Sequence, residues 1–236
     1  MPLSKRTFLL FLLAAAILSS AGQTAEEAAP EKPVLLLTGF EPFGGLKVNA
    51  SWETVKTFEG QEIGGYRIVT ALLPVVYDEM TEPLYAAISK HKPRAVISCG
   101  VGTEVVRIET LARNGYHPMR PPDNKGVRPS RSQIDPKGAA ELPTSLPTAE
   151  ILAALKEAKI GSASSDDAGG YLCNECFYRL MALPRGENAP PLVRRGFVHV
   201  PDFGTPDPAG GTFTAEKLKA ALKIVIEQTV RAADGK

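Results

Sequence analysis

Short, unbroken apolar runs separated by helical patterns constrain the fold of this chain more than any other feature. Val34-Leu35-Leu36-Leu37 runs into Thr38-Gly39, and Ala95-Val96-Ile97-Ser98-Cys99 closes on Gly100. Runs of that length without polar alternation suit strands buried on both faces of a sheet. Gly196-Phe197-Val198-His199-Val200, stopped by Pro201, reads as another strand. Tyr66 to Leu73 adds one more, and Val105 to Leu111 has the β-branched content of a further strand. Helical spacing appears between them. Pro83 to His91 carries Leu84, Ala87 and Ile88 on one face, and a helix N-capped by Thr148 runs through Lys159 on Ile151, Leu152 and Leu155. Cys173 to Leu183 is the next helix. A last one opens near Thr214 with Leu218, Leu222, Val225 and Ile226 at core spacing. Strands alternating with helices predict an α/β fold, three layers α/β/α around a mostly parallel twisted sheet.

Two stretches stand outside this alternation. Lys5 and Arg6 precede the apolar run Phe8 to Leu18, and Ser19-Ser20-Ala21 follows with small residues. That is the layout of a secretory signal over 1–21, and the run is shorter than the roughly 20 residues that span a bilayer. No cysteine follows the run, so a lipid anchor is not indicated. Residues 22–33 read as a flexible lead-in and 34–236 as a single α/β domain. The expected product is exported, periplasmic or secreted, with no membrane attachment after signal cleavage. The 27 Lys and Arg against 26 Asp and Glu give +1, and removal of Lys5 and Arg6 leaves −1. That balance gives no reason to expect a nucleic-acid partner. The second stretch, Arg113 to Pro147, has little periodicity, many prolines and several arginines. A connection so long predicts a loop that covers a site.

The chemistry centres on Cys173. It follows Asp167-Ala168-Gly169-Gly170-Tyr171-Leu172, where a glycine-containing segment meets a helix start. Unpaired N–H groups and the helix dipole there favour a thiolate. On the residues alone three other readings stay open: a buried structural cysteine, a C-x-x-C redox pair with Cys176, and half of a zinc site. Zinc is the weakest, because no second C-x-x-C exists and His91, His117 and His199 show no ligand spacing. His199, near the end of a strand, suits a general base for the cysteine, although alone it reads as a core histidine. Glu109, inside an apolar strand, suits the carboxylate that orients an imidazole, although alone it reads as solvent-facing. His91 and His117 read as surface residues. Thr38-Gly39-Phe40-Glu41-Pro42-Phe43-Gly44-Gly45 lacks the Gly-Lys-Ser/Thr of a phosphate loop. Phe40 and Phe43 either wall an apolar pocket for a small ring or complete the core.

Together these residues resemble the pyroglutamyl peptidase I, or pyrrolidone-carboxylate peptidase, family from about Val34 to the last helix. Four motifs carry the resemblance in order: the turn at 38–45 followed by Asn49 and Ser51, Glu109-Thr110-Leu111-Ala112-Arg113-Asn114, Ala168-Gly169-Gly170-Tyr171-Leu172-Cys173-Asn174, and Gly196-Phe197-Val198-His199-Val200-Pro201. The resemblance implies a cysteine exopeptidase, an omega peptidase that removes N-terminal pyroglutamate from small peptides without metal or organic cofactor. Cys173 would be its nucleophile, His199 its acid/base and Glu109 the orienter. Phe40 and Phe43 would line the lactam pocket. Arg120, ahead of Pro121-Pro122-Asp123-Asn124, matches an arginine near the family's catalytic centre and would help neutralise the oxyanion. The chain departs from the family at Thr110, usually arginine, at Ala50, usually proline, and in a longer 115–119 loop without its usual acidic pair. Two rivals remain: an exported lactam-binding homologue without turnover, and a thiol–disulfide oxidoreductase using Cys173 and Cys176. In an oxidising space those two cysteines are close enough in sequence to pair. Assembly into a homo-oligomer is left open.

Overall fold

The first apolar run, β1 (Val34–Phe40), is buried at every position and lies inside a seven-stranded sheet. This computed structural model describes residues 31–184 and 191–235, so the signal at 1–21 and most of the lead-in lie outside the described residues. From Lys32 onward the chain forms one unit. β3 (Tyr66–Leu73) and β4 (Ala95–Thr103) flank β1 in parallel. β9 (Arg194–Pro201) pairs in parallel with β4. Beyond it β5 (Val106–Glu109) runs antiparallel to β9, and β8 (Ser162–Ser165) runs parallel to β5. β2 (Glu62–Ile63) closes the opposite edge, antiparallel to β3.

Alternation along the buried strands sends side chains into two separate cores. Leu35, Leu37, Ile97 and Val198 pack with α1 (Ala50–Val55), α3 (Thr148–Glu157) and α5 (Ala215–Ala233). Leu36, Val96 and Phe197 pack on the other face with α2 (Thr81–His91) and α4 (Leu172–Met181). The arrangement is the expected three-layer sandwich. No helix among the described residues is long and apolar enough to cross a membrane.

The sheet differs from the sequence reading in places with a physical cause. Only Glu104 and Val105 link β4 to β5. A parallel neighbour needs a crossover of a dozen residues or more, so this short link turns the chain back as an antiparallel strand. The apolar segment Val105 to Leu111 breaks at Thr110, whose N–H and Oγ1 both donate to the Ser165 carbonyl, at 2.7 and 2.8 Å. The chain then pairs as β6 (Leu111–Arg113) with β7 (Glu141–Pro143) in a separate hairpin. β8 is Ser-Ala-Ser-Ser, a sheet-edge strand with no apolar signal. Thr148 is the first residue of its helix rather than the cap, and α4 starts one residue before Cys173 and stops at Met181.

The long aperiodic segment is an ordered loop held by side chains bonding backbone, the habit of Asn and Asp in turns. Asn114 donates to the carbonyls of Asp135 (2.7 Å) and Gly138 (3.2 Å) and accepts from the N–H groups of Ile134 and Asp135. Asp123 accepts from the N–H groups of Tyr77, Lys125 and Val127 at 2.9–3.0 Å. These bonds fasten the loop beside the carboxyl ends of β1, β3 and β4, where open α/β sheets place ligands.

Candidate active site

Strand register brings two of the predicted residues together. In the β5–β9 pair, Arg107 lies opposite His199 and Glu109 opposite Phe197. Side chains two residues apart share a face, so Glu109 and His199 are diagonal neighbours on the α4 side of the sheet. The long glutamate spans that diagonal, and His199 Nδ1 meets Glu109 Oε1 at 2.8 Å. Glu109 is fully buried, and its Oε2 has no hydrogen-bond partner among the described residues. The Phe197 ring packs 4.9 Å from the imidazole, centroid to centroid, and limits how the ring can tilt.

Cys173 approaches from the start of α4. The strand β4 supplies the space, because Gly100 lies opposite His199 in the β4–β9 register. A Cβ at Gly100 would stand 2.7 Å from Cys173 Sγ and 2.9 Å from Phe197 Cζ. The sulfur therefore occupies the volume that any other residue would fill. With Nδ1 on Glu109, Nε2 is the nitrogen left for Cys173. Burial works against a charged His199, but the Cys173 charge, its hydrogen bond and Glu109 outweigh it and raise the imidazole from 6.5 to about 9. An imidazolium is thus held between a sulfur and a carboxylate.

The turn into α4 is shaped for this placement. Gly169 adopts φ +74, and a Cβ at Gly170 would meet the His117 backbone nitrogen at 2.1 Å. Tyr171 caps the helix without a side-chain bond, so the first N–H groups, that of Cys173 included, have no intrahelical acceptor. Asn174 fixes the helix against the loop. Its Oδ1 accepts from Arg113 N–H at 3.0 Å, and its Nδ2 donates to the carbonyls of Arg113 (2.8 Å) and Gly115 (3.0 Å).

Beside the sulfur lies a mainly apolar cleft of about 300 Å3 walled by Phe40, Phe43, Val75, Val101, Tyr171 and Cys173. Asn49 holds the Phe40–Phe43 turn in position. It donates to the Glu41 carbonyl and accepts from Ser51 N–H and Oγ, while Ser51 Oγ accepts from Phe40 N–H. The loop completes the wall: His117 N–H donates to the Gly170 carbonyl, Tyr171 Oη donates to the Pro122 carbonyl, and Asn124 Nδ2 donates to the Pro42 carbonyl. Arg120 sits elsewhere in that loop, with its guanidinium donating to the carbonyls of His117, Pro129 and Arg131. It lines a different cavity. Cys176, three residues beyond Cys173, is a free thiol at zero exposure against Ser98, and burial pushes it well above the ordinary thiol range.

The sequence model of the pyroglutamyl peptidase family matches residues 33–232. The chain belongs to that family. It is 35% identical over 204 residues to pyrrolidone-carboxylate peptidase 1 of Photorhabdus laumondii, covering 83% of this chain and 92% of that one. The pyrrolidone-carboxylate peptidase of an Enterobacter species is 37% identical over 204 residues, covering 84% and 92%. Among solved structures, pyroglutamyl peptidase I of Bacillus amyloliquefaciens superposes with a TM-score of 0.77 at 34% identity, covering 86% of this chain and 98% of that one. A mutant pyrrolidone carboxyl peptidase of Pyrococcus furiosus gives 0.75 at 29% identity, covering 84% and 98%.

Family membership leaves three contributors that sequence reasoning did not single out. Gly100 is read only through its register with His199, and Tyr171 only through the cleft it lines. Asn174 adjoins the cysteine in sequence, but its bonds go to a hairpin 59–61 residues away.

Replacement of Gly100 by alanine is expected to displace Cys173 while leaving the fold intact. The alkylation rate of Cys173 by iodoacetamide should fall at least about tenfold, because the near-attack position of the sulfur is lost. An unchanged rate in a folded Gly100→Ala variant would show that the sulfur does not need that space. The His199 shift has a definite sign. A folded value above the unfolded one stabilises fully below pH 6.5, and that contribution disappears as pH rises through about 9. An NMR titration of His199 is expected to have its midpoint near pH 9, and Cys173→Ala should lower it. A wild-type midpoint at 6.5 would overturn the pairing.

Proposed function

We propose that Cys173, His199 and Glu109 act as nucleophile, acid/base and orienting carboxylate in the removal of N-terminal pyroglutamate from small peptides. The supporting observation is a single juxtaposition: the Cys173 sulfur lies against an imidazole whose affinity for a proton is raised by its surroundings, at the edge of a mainly apolar cleft. Phe40, Phe43 and Tyr171 line the cleft that would take the lactam and exclude water from around it.

The steps follow from these positions. The thiolate forms a C–S bond to the pyroglutamyl carbonyl carbon, and the carbonyl π electrons move onto oxygen. The Cys173 N–H and its neighbours at the α4 start face no intrahelical acceptor and stabilise that oxyanion, each donor contributing roughly 3 kcal/mol of barrier lowering. The C–N bond then breaks as Nε2 of His199 delivers its proton to the departing amine. The neutral imidazole next takes a proton from water, whose oxygen attacks the thioester and releases free pyroglutamate. Glu109 keeps Nδ1 protonated and the ring in one orientation through both halves. Arg120, whose guanidinium is occupied by three loop carbonyls and lines a different cavity, has no part in this oxyanion stabilisation.

Turnover of a pyroglutamyl-aminocoumarin amide by the purified protein under reducing conditions is the test. Cys173→Ala should reduce kcat at least about a thousandfold. Glu109→Gln should reduce it about a hundredfold or more with little change in KM. Activity that survives Cys173→Ala would remove the nucleophile from this reading.

We further propose that the peptidase works outside the cytoplasm. Support comes from the basic residues, apolar run and small residues of 1–21. Exported protein is expected to begin at Gly22 on N-terminal sequencing. An uncleaved chain confined to the cytoplasm would contradict this.

A further inference from the structure

The wall of the cleft beside Cys173 includes a ring whose own attachments leave its plane free. Tyr171 is half-buried, caps α4 through its backbone, and donates from Oη to the Pro122 carbonyl at 3.2 Å. The Oη atom lies on the Cβ–Cγ axis of the side chain. A bond there fixes the far end of the ring but not rotation about χ2, a broad torsion in aromatic residues. Among the described residues two rings meet Tyr171. Phe43, itself part of the cleft wall, lies 6.3 Å away at 47°, and Tyr77 lies 5.6 Å away at 87°. The Tyr77 contact is the closer one, and it has the edge-on geometry that ring quadrupoles favour.

Tyr77 is held far more firmly. It is 5% exposed, lies between β3 and α2, and stands behind the cleft rather than in its lining. Its other side meets Tyr116 edge-on at 5.5 Å, and its Oη donates to the Pro121 carbonyl at 3.4 Å. The backbone around it is pinned as well. Tyr77 N–H donates to Asp123 at 3.0 Å and Val75 N–H donates to Glu41 at 2.9 Å, while the Val75 carbonyl accepts from Asn124 N–H at 3.0 Å. Asp78, the next residue, takes φ +64 and pairs with Arg131. A ring fixed in this way can set the plane of its half-buried neighbour.

The Tyr171 ring faces a cleft that Phe40 and Phe43 also line, so its plane sets the space left for a flat ligand. We propose that Tyr77 is a positioning residue: without touching the substrate, it fixes the plane of the Tyr171 ring and thereby the fit of the lactam. This rests on the pyroglutamyl peptidase reading above. Apolar contact to the lactam is the same in the ground state and the transition state, so a loosened Tyr171 weakens binding without slowing the chemistry.

The test compares Tyr77→Leu, which removes the ring, with Tyr77→Phe, which keeps it. With the pyroglutamyl-aminocoumarin amide, Tyr77→Leu should raise KM about three- to tenfold, the range of one lost aromatic pair, and leave kcat within about twofold. Tyr77→Phe should restore the wild-type KM. In a Tyr171→Leu background Tyr77→Leu should add nothing further, because its effect passes through that ring. Iodoacetamide should alkylate Cys173 at the wild-type rate in both Tyr77 variants, since that reaction does not use the wall. Tyr77→Met repeats the comparison if Tyr77→Leu does not fold. An unchanged KM in Tyr77→Leu, a Tyr77→Phe protein equally impaired, or an additive loss in the Tyr171→Leu background would overturn the assignment. Absence of aminocoumarin turnover would count against the catalytic reading alone. Calorimetric binding of 2-pyrrolidone, the lactam ring by itself, to Cys173→Ala and to Cys173→Ala/Tyr77→Leu then decides independently. The second protein should bind about three- to tenfold more weakly, and equal affinity would overturn the proposal.

Discussion

The contact between His199 and Glu109 is the interaction on which the site depends, and it exists only because β5 runs backwards. A parallel β5 would require a long crossover, and its carboxylate would leave the diagonal of His199. The two-residue link after β4 forces the reversal, and the β5–β9 register then puts a fully buried carboxylate 2.8 Å from the imidazole. A buried carboxylate is costly unless a cation meets it. Here the compensating cation is the imidazolium itself. Folding and the charge state of His199 are therefore coupled through one hydrogen bond.

A second constraint comes from the opposite neighbour of β9. Gly100 stands across from His199 on β4, so the absence of a side chain at one register position makes room for the Cys173 sulfur at another element's start. The sheet fixes His199 and Glu109, and the helix fixes the Cys173 sulfur and the orphan N–H groups. The aperiodic loop then closes the remaining side. Its hold on the helix runs through Asn174 and the Gly170 carbonyl, backbone contacts that tolerate variation in the loop's own side chains. That division explains how a loop that departs from the family pattern can coexist with an intact site.

Much of this was legible in the sequence, and for identifiable reasons. The unbroken runs that became β1 and β4 announce strands covered on both faces, so the layers followed directly. Cys173 was legible because glycines and a helical period meet beside it. Glu109 was ambiguous, since a carboxylate in a strand gives the same pattern whether it faces solvent or a partner; only register decides. Ser162–Ser165 carries no apolar signal because its place at the sheet edge demands none. Arg120 illustrates the reverse case. Its motif is plain in the sequence, but the direction of its guanidinium depends on loop carbonyls 3, 9 and 11 residues away in a segment without periodicity.

The two cysteines of α4 show why a C-x-x-C spacing does not by itself make a redox pair. Residues at i and i+3 of a helix have Cβ atoms about 5–6 Å apart, whereas a disulfide needs about 3.5–4.5 Å. Pairing would require the first turn of α4 to shift the two side chains toward each other. That turn carries the N–H groups assigned to the oxyanion and the Asn174 clasp on the loop. The thiol environments also differ in kind. Cys173 faces an imidazolium, while Cys176 is buried against Ser98, whose Oγ in turn accepts from Thr38 Oγ1 at 2.9 Å. A thiol kept protonated by burial is a poor attacker of any disulfide or sulfenic acid at its neighbour. Burial of Cys176 therefore shields Cys173 from its nearest potential partner, and the packing that seats α4 on the sheet is compatible with both the proposed nucleophile and the proposed export.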